Sequence, residues 1–279
     1  MTNRRLEKTV IAAFLRHLQQ EEKVEKTCQK YVRDASAFMR YAGTQAVTKE
    51  LVCGYKKSLM ERGFAVSSVN SMLASVNALM TFLGWQDCRV KHVRQQRQIY
   101  CPEEKELSKG EYLRLLEASR GNRQLNLILQ TICATGIRVS ELQFFTVEAV
   151  RGGAVTVSCK SKTRQVFLPG KLRKLLLEYA KTRKICQGPV FLGKTGKPLD
   201  RSRIWAMMKG LCTRAKVAPG KVFPHNLRKL FARTFYTMEK DISKLADLLG
   251  HSSINTTRIY IMTTGQEHRK KIERLGLVI

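Results

Sequence analysis

Apolar residues recur at three- and four-residue spacing along most of this chain, and that period constrains its fold more than any other feature. Residues 1–84 contain four such stretches with polar starts and glycine ends, which predicts four helices. Strand-like runs occur at 154–158 and 165–168, around a basic turn at 160–164, which predicts a hairpin with a positively charged tip. The pattern therefore predicts a mainly α-helical protein with a small β-sheet, an α+β fold.

The helical pattern is interrupted once, over residues 85–106, where apolar periodicity is lost and basic residues accumulate. We predict a helical domain at 1–88, a basic linker at 89–105 and a second domain at 106–279. A linker that runs close to a polyanion and a simple exposed tether both explain its composition. Further helices are predicted near 171–182, 202–215, 225–238, 242–249, 253–260 and 266–275.

The chain is strongly basic, with 51 Lys and Arg residues against 22 Asp and Glu, a formal net charge of +29. Such an excess repels itself in a compact fold, so a polyanionic partner is expected, nucleic acid before an anionic membrane. No apolar run approaches the roughly 20 residues of a membrane span, and the first ten residues lack the apolar core of a secretory signal. Function at a membrane is therefore not expected.

Eight cysteines are scattered through the sequence, without a Cys-x-x-Cys pair and without a Cys/His cluster at zinc spacing. Most lie in apolar helical or strand patterns, where a free cysteine acts as a small hydrophobic residue. We predict a cytoplasmic protein with no disulfide framework, no structural metal and no cofactor.

The first candidate site residue is Arg138, which follows a predicted helix end at Gly136. Its planar guanidinium suits two phosphate oxygens, and Glu141, three residues on, is placed to orient a neighbouring cation. His225 and Arg228 come next, three residues apart at a helix start marked by Pro224. An anion held there would meet one fixed cation and one titratable imidazole.

His251 is predicted to lie on a turn after a helix, and Tyr260 follows it by nine residues. Each of these residues, taken alone, is more often structural: a surface ion pair, a helix cap or a core tyrosine. As a nucleophile, a tyrosine offers a phenol that loses its proton more easily than water or serine does. Order and spacing make the set specific for attack on a phosphodiester without a metal.

Three segments carry these residues, ATGIRVSEL at 134–142, PHNLRKLFA at 224–232 and LLGHSSINTTRIY at 248–260. In these segments the chain resembles the tyrosine recombinase (phage integrase) family, in its short two-domain form similar to the Xer recombinases. The resemblance implies a four-helix SAM-like core-binding domain and a catalytic domain that together form a C-shaped clamp on double-stranded DNA. It implies site-specific cleavage and rejoining of DNA.

The resemblance also implies residue roles. Tyr260 would attack the scissile phosphate, form a 3′-phosphotyrosyl link and release a 5′-hydroxyl. Arg138 and Arg228 would clamp the non-bridging oxygens, and Glu141 would support them. The covalent link conserves the energy of the phosphodiester bond, so neither a metal nor another cofactor is implied.

His225 would bind the phosphate and assist proton transfer, while His251 would hold a non-bridging oxygen. A lysine on the hairpin turn would protonate the leaving oxygen. Alignment from the first strand favours Lys160, and alignment from the second leaves Lys162 as the alternative. Lys229 stands where many relatives carry another histidine, and it is expected to play no part in the chemistry.

Strand exchange in this family implies a tetramer on two DNA sites, with the tail at 266–279 packed on a neighbouring subunit rather than on its own. A paralogous recombinase or an accessory DNA-bending protein is a further candidate partner. Two other functions share the same features: a catalytically decayed recombinase that only binds DNA, and a relaxing type IB topoisomerase that needs no second site.

Overall fold

The protein is described here by a computed structural model that covers residues 4–7, 9–94, 103–159, 162–193, 195–262, 269 and 272–275, with the backbone alone at 103, 159 and 162. The chain divides into two compact units, Met1–Arg97 and Gln98–Ile279. Each unit has its own hydrophobic core. In the described part of the chain, no helix combines the length and the apolar character that crossing a membrane requires.

The first unit contains the four helices predicted from apolar spacing, followed by a 3-10 turn at Gln86–Cys88. Thr48 caps the third helix through its side chain, as its sequence position suggests. The fourth helix begins at Val66, and its N-cap is Ala65, whose side chain makes no capping hydrogen bond. The helices are α1 (Thr9–Gln20), α2 (Glu25–Ala42), α3 (Lys49–Glu61) and α4 (Val66–Phe82).

The segment directly after the first unit's 3-10 turn is fixed to α4 by two asparagines. The Asn77 side chain both donates to the Val90 carbonyl (2.9 Å) and accepts from the Val90 amide (3.0 Å). Asn70 makes the same pair of bonds with Val93, at 3.0 and 2.8 Å. Val90 is buried in the first core. The first residues of the predicted linker are therefore packed on the helical unit, while its residues 95–102 lie outside the described part of the chain.

The second unit is mainly helical and carries one antiparallel hairpin. Its helices are α5 (Lys109–Ala118), α6 (Arg123–Thr135), α7 (Val147–Gly152), α8 (Gly170–Thr182), α9 (Arg201–Lys209), α10 (Cys212–Ala215), α11 (Pro224–Glu239), α12 (Ile242–Leu249) and α13 (Ile254–Ile261). The strands are β1 (Ala154–Cys159) and β2 (Lys162–Phe167), and 3-10 turns lie at Glu103–Lys105, Val139–Phe144 and Pro219–Lys221.

Two features of this unit differ from the sequence predictions, and a third prediction lies largely outside the described residues. The hairpin pairs from Ala154↔Phe167 to Cys159↔Lys162, so residues 162–164 belong to β2 and not to the turn. Their charge favours a turn locally, but pairing with β1 provides backbone partners that keep them extended. The helix predicted at 202–215 is interrupted after Lys209 and resumes at Cys212. Of the helix predicted at 266–275, only residues 269 and 272–275 lie within the described part.

The core of the second unit surrounds α6, which packs against α8, α9 and α11. A smaller cluster joins the last three described helices through Ala232 of α11, Leu245 and Leu249 of α12, and Tyr260 of α13. Because α11 belongs to both clusters, it fixes the position of α12 and α13 against the main core. The candidate residues at the C-terminal end of the chain are therefore held by buried apolar contacts.

Candidate active site

Arg138 and Glu141 form the first part of the site, directly after α6. The helix ends at Gly136, whose φ of +64° is a left-handed conformation that favours glycine. The backbone then extends at Arg138 and enters the 3-10 turn that carries Glu141. Glu141 is 1% exposed and accepts from the Arg138 amide (2.8 Å) and from Arg138 Nη1 (3.0 Å). The predicted support of Arg138 by Glu141 is thus present as two hydrogen bonds.

Arg164 of β2 completes the hydrogen bonding of Glu141, and sequence analysis did not identify it. Arg164 Nη2 donates to Glu141 Oε2 (3.0 Å), and Nε donates to the Leu248 carbonyl (3.1 Å). A signal was available in the strand period, because Val166, two residues on, is a buried apolar residue. The residue was missed because its segment was interpreted as a basic turn.

Arg228 is a fully buried arginine, 1% exposed, on the first turns of α11. Nη1 donates to the Gly136 carbonyl (2.5 Å), and Nη2 donates to the Leu249 carbonyl (2.6 Å). Burial, and then repulsion from Arg138, lower the pKa of Arg228 to about 10. Its Nε is a buried donor without a hydrogen-bond partner among the described atoms. The group therefore stays cationic at neutral pH and keeps one unused N–H.

The C-terminal end of α12 holds all three of these arginines. Its last carbonyls have no partner within the helix and carry the negative end of the helix dipole, so they suit cations. Leu248 accepts from Arg164, Leu249 from Arg228, and Gly250 from Arg138 Nη2 at 3.3 Å. The residues involved are consecutive, Leu248, Leu249 and Gly250, and each receives a different guanidinium.

His251 follows that turn, and its neighbours fix its tautomer. Nε2 lies 3.0 Å from Arg228 Nη2, and Nδ1 lies 2.9 Å from the Thr257 hydroxyl oxygen. A guanidinium can only donate, so Nε2 accepts, and Nδ1 carries the proton and donates to Thr257. Thr257, which is fully buried, was not identified from the sequence. It lies inside the helix predicted at 253–260, but its spacing of six residues from the histidine gave no signal that the two side chains meet.

Tyr260 lies between the two candidate histidines. Its ring centroid is 5.0 Å from that of His225 and 4.9 Å from that of His251. Arg228 Cζ is 5.8 Å from the centre of the same ring. Tyr260 is 7% exposed and is anchored in the cluster that joins α11, α12 and α13. The structure therefore brings the candidate nucleophile together with three of the other predicted residues.

Both histidines are neutral at pH 7. Desolvation, then the cations Lys229, Arg228, Arg138 and Arg201, lower the pKa of His225 to about 4. Lys229, which is expected to play no part in the chemistry, thus has the largest charge effect on the pKa of His225.

Desolvation and then Arg228, Arg138 and Arg164 lower the pKa of His251 to about 4 as well. Each imidazole consequently offers a lone pair as well as an N–H, so each is able to accept a proton.

A cleft of about 610 Å³ opens over the Arg138 side of this cluster. Its polar wall brings cationic and hydroxyl groups together in a space large enough for a phosphodiester. It is lined by Arg138, Glu141, Val157, Thr163, Arg164, Asp247, Gly250, His251, Ser252 and Thr256.

The hairpin lysine is the predicted site residue whose place stays untested. Lys160, the favoured candidate, lies outside the described residues, and for Lys162 only the backbone at the start of β2 is described. The choice between them therefore stays a prediction.

Family comparison matches both units. The family model described as "Phage integrase family" matches residues 105–267. The chain belongs to the phage integrase family. A second model, "Phage integrase, N-terminal SAM-like domain", matches residues 11–87. The predicted family and the mainly helical two-domain fold class are thereby confirmed.

Two curated relatives of this integrase align along nearly its whole length. Tyrosine recombinase XerA of Pyrococcus furiosus is 26% identical over 291 residues, covering 100% of this chain and 98% of the relative. Tyrosine recombinase XerD of Staphylococcus aureus is 27% identical over 289 residues, covering 94% and 96%. With this family membership, the chain is a tyrosine-type site-specific DNA recombinase, as predicted.

Among solved structures, a lambda integrase tetramer bound to a Holliday junction has a similar fold. Its TM-score is 0.73 at 15% sequence identity, with 90% of this chain and 76% of that chain covered. The likeness extends through both domains of this integrase.

Proposed function

We propose that this recombinase cleaves DNA through Tyr260, which attacks the scissile phosphorus and becomes linked to the 3′-phosphate while a 5′-hydroxyl departs. The observation that carries the proposal is the position of the Tyr260 ring between His225 and His251, beside the buried Arg228. A tyrosine with only a packing role needs neither two imidazoles nor a guanidinium around its ring. Rejoining is the reverse reaction, in which a 5′-hydroxyl attacks the phosphotyrosine.

Arg138 and Arg228 bind the non-bridging oxygens in this proposal. Attack by a phenolate adds negative charge to a phosphodiester that is already an anion, so fixed cations stabilise the transition state more than the ground state. Both guanidinium groups are held by backbone carbonyls before substrate arrives. Little reorganisation is therefore needed when charge develops.

The two histidines become able to take up a proton when the substrate binds. A bound phosphate places negative charge beside His225 and His251, which raises their pKa from about 4 toward the physiological range. We assign His225 to accept the Tyr260 proton and His251 to bind a non-bridging oxygen. In the second role His251 is protonated, so that Nε2–H donates to the phosphate oxygen and no longer accepts from Arg228 Nη2.

The leaving 5′-oxygen needs a proton, and we assign that role to the hairpin lysine, with Lys160 ahead of Lys162. The support is chemical and positional. The strand that follows the turn carries Arg164, whose side chain contacts Glu141 inside the site. This contact of the hairpin with the site supports the assignment of the proton donor to a lysine of the same hairpin.

The partner is double-stranded DNA, and the assembly is a tetramer on two sites. The charge of +29 supports DNA binding, and the fold likeness to an integrase tetramer on a Holliday junction supports the assembly. We propose that the tail at 266–279 packs on a neighbouring subunit and that the reaction takes place in the cytoplasm. A paralogous recombinase or a DNA-bending protein remains a candidate partner.

A nicked suicide substrate, from which the short strand diffuses away after cleavage, tests the central step. The wild-type protein is expected to accumulate a covalent protein–DNA adduct, and Tyr260→Phe is expected to form none. Tyr236→Phe, a second tyrosine of the same apolar cluster, is the matched control and should retain adduct formation.

Equal adduct from wild type and Tyr260→Phe would remove Tyr260 as nucleophile. DNA footprints without any wild-type adduct would favour the catalytically decayed DNA-binding protein. Relaxation without pairing of two sites would favour the topoisomerase.

A further inference from the structure

A buried carboxylate lies inside a site that must bind an anion. Glu141 is 1% exposed, and its oxygens accept from Arg138 and from Arg164 at 3.0 Å each. A carboxylate beside a phosphate is unfavourable unless its charge is offset. With Arg138 as its only cationic partner, Glu141 would neutralise the guanidinium that the substrate needs.

Arg164 changes this balance. Its side chain is 14% exposed, less than the 34% of Arg138, so it is the more deeply buried of the two partners of Glu141. The pair Glu141 and Arg164 is neutral, which leaves Arg138 with its full charge at the cleft. Arg228 adds a second, buried cation. Asp247 also lines the cleft, but it is solvent-exposed and its charge is screened.

The Arg164 side chain passes directly against Gly250. A Cβ at position 250 would lie 2.8 Å from Arg164 Cδ and 2.9 Å from Nε, so only glycine lets the arginine cross this turn. The same crossing lets Arg164 Nε reach the Leu248 carbonyl. The arginine is therefore tied to α12 at one end and to Glu141 at the other.

We propose that Arg164 is a positioning residue that neutralises Glu141, so that Arg138 can orient against Glu141 and still give its charge to the scissile phosphate. The inference rests on the proposed function. Arg138, Arg164 and Arg228 together with Glu141 carry a net charge of +2 (three cations, one carboxylate), which matches the two negative charges of a phosphodiester under attack by a phenolate.

The test is whether a second substitution rescues the Arg164 variant. The measured quantity is the single-turnover rate of adduct formation on the suicide substrate. Arg164→Met leaves Glu141 opposed by Arg138 alone, and cleavage is expected to slow by about 100-fold. Adding Glu141→Gln removes the stranded carboxylate, and the double variant is expected to cleave about tenfold faster than Arg164→Met. Arg164→Lys keeps the charge and is expected to lose less than Arg164→Met.

A methylphosphonate at the scissile position supplies a second, independent measurement. This substrate lacks one non-bridging negative charge, so the ratio of wild-type to Arg164→Met rates is expected to shrink. Arg173→Met is the matched control, since it also removes one arginine but from α8, where the side chain bonds to the Arg151 carbonyl. Its cleavage rate should stay near wild type.

The outcomes are distinct. A double variant as slow as Arg164→Met, or Arg164→Lys as impaired as Arg164→Met, would overturn the charge argument and leave Arg164 as a tie between β2 and α12. If Arg164→Met does not fold, Arg164→Gln, which keeps a hydrogen bond without a charge, is compared with its own Glu141→Gln double variant. Absence of adduct from the wild type would instead refute the proposed function, so the two failures cannot be confused.

Discussion

Gly136 is the position where a single methyl group should disturb both stability and chemistry. A Cβ added there would lie 2.6 Å from Phe231 Cε1 and 3.0 Å from Cγ, closer than packed carbons approach. Phe231 is on α11, one turn after Arg228, and the Gly136 carbonyl accepts from Arg228 Nη1. Gly136→Ala therefore pushes on the helix that carries a phosphate-binding arginine.

Gly153→Ala measures how much stability is lost through the left-handed backbone alone. Gly153 has a φ of +79°, close to the +64° of Gly136, and it also follows a helix end. The nearest atom to its added Cβ is Arg173 Nη1, at 3.8 Å, which is ordinary contact. Both variants carry the left-handed strain of about 1–2 kcal/mol. Only Gly136→Ala adds overpacking, of about 1–3 kcal/mol.

We therefore expect Gly136→Ala to lower the free energy of unfolding by about 2–5 kcal/mol, and Gly153→Ala by about 1–2 kcal/mol. Urea titration followed by Trp205 fluorescence in a Trp85→Phe background reads the second unit, which contains Trp205. Gly136→Ala should also slow adduct formation, and Gly153→Ala should not. Equal destabilisation by the two variants would show that the Phe231 contact costs nothing and would refute the reasoning.

Four further results are expected. Thr257→Val removes the acceptor for His251 Nδ1–H, so nitrogen NMR should show the Nδ1–H tautomer of His251 depleted, whereas Thr257→Ser should preserve it. The depressed pKa of His225 means that the unfolded chain binds more protons between pH 6.5 and 4, so stability falls as pH is lowered through that window. Lys229→Gln removes the largest charge effect, and it should raise the pKa of His225 in an NMR titration. Asn77→Ala should lower the thermal midpoint of the first unit, since it breaks two hydrogen bonds to the segment after α4; an unchanged midpoint would show that the segment adds no stability.

Local sequence signals were sufficient for the features that depend on neighbouring residues. The helices of the first unit follow apolar spacing, and the Ser-x-x-Glu sequence at Ser108 and Glu111 forms a capping box at the start of α5. Glu141 was identified as a support for Arg138 because three residues bring the two together in one turn. In each case the interaction spans only a few positions along the chain.

Features that depend on distant pairing were not predictable in the same way. Arg164 bonds to a residue 23 positions earlier and to a carbonyl 84 positions later, so its role exists only once β2 lies against the 3-10 turn and α12. Thr257 needed the bend between α12 and α13 before it could meet His251. The charge of Lys229 acts through space on His225 and leaves no pattern in the sequence.

The turn after Leu249 joins the groups proposed to bind the phosphate to the helix of the proposed nucleophile. Three successive peptide oxygens hold the guanidinium side chains, and the next helix along the chain bears the reactive phenol. Sliding α12 by a few ångströms would release all three cations and carry Tyr260 away at the same time. A protomer with α12 displaced in this manner would not cleave its own DNA strand. An assembly that shifts α12 would therefore switch individual subunits between active and inactive states through the position of one helix.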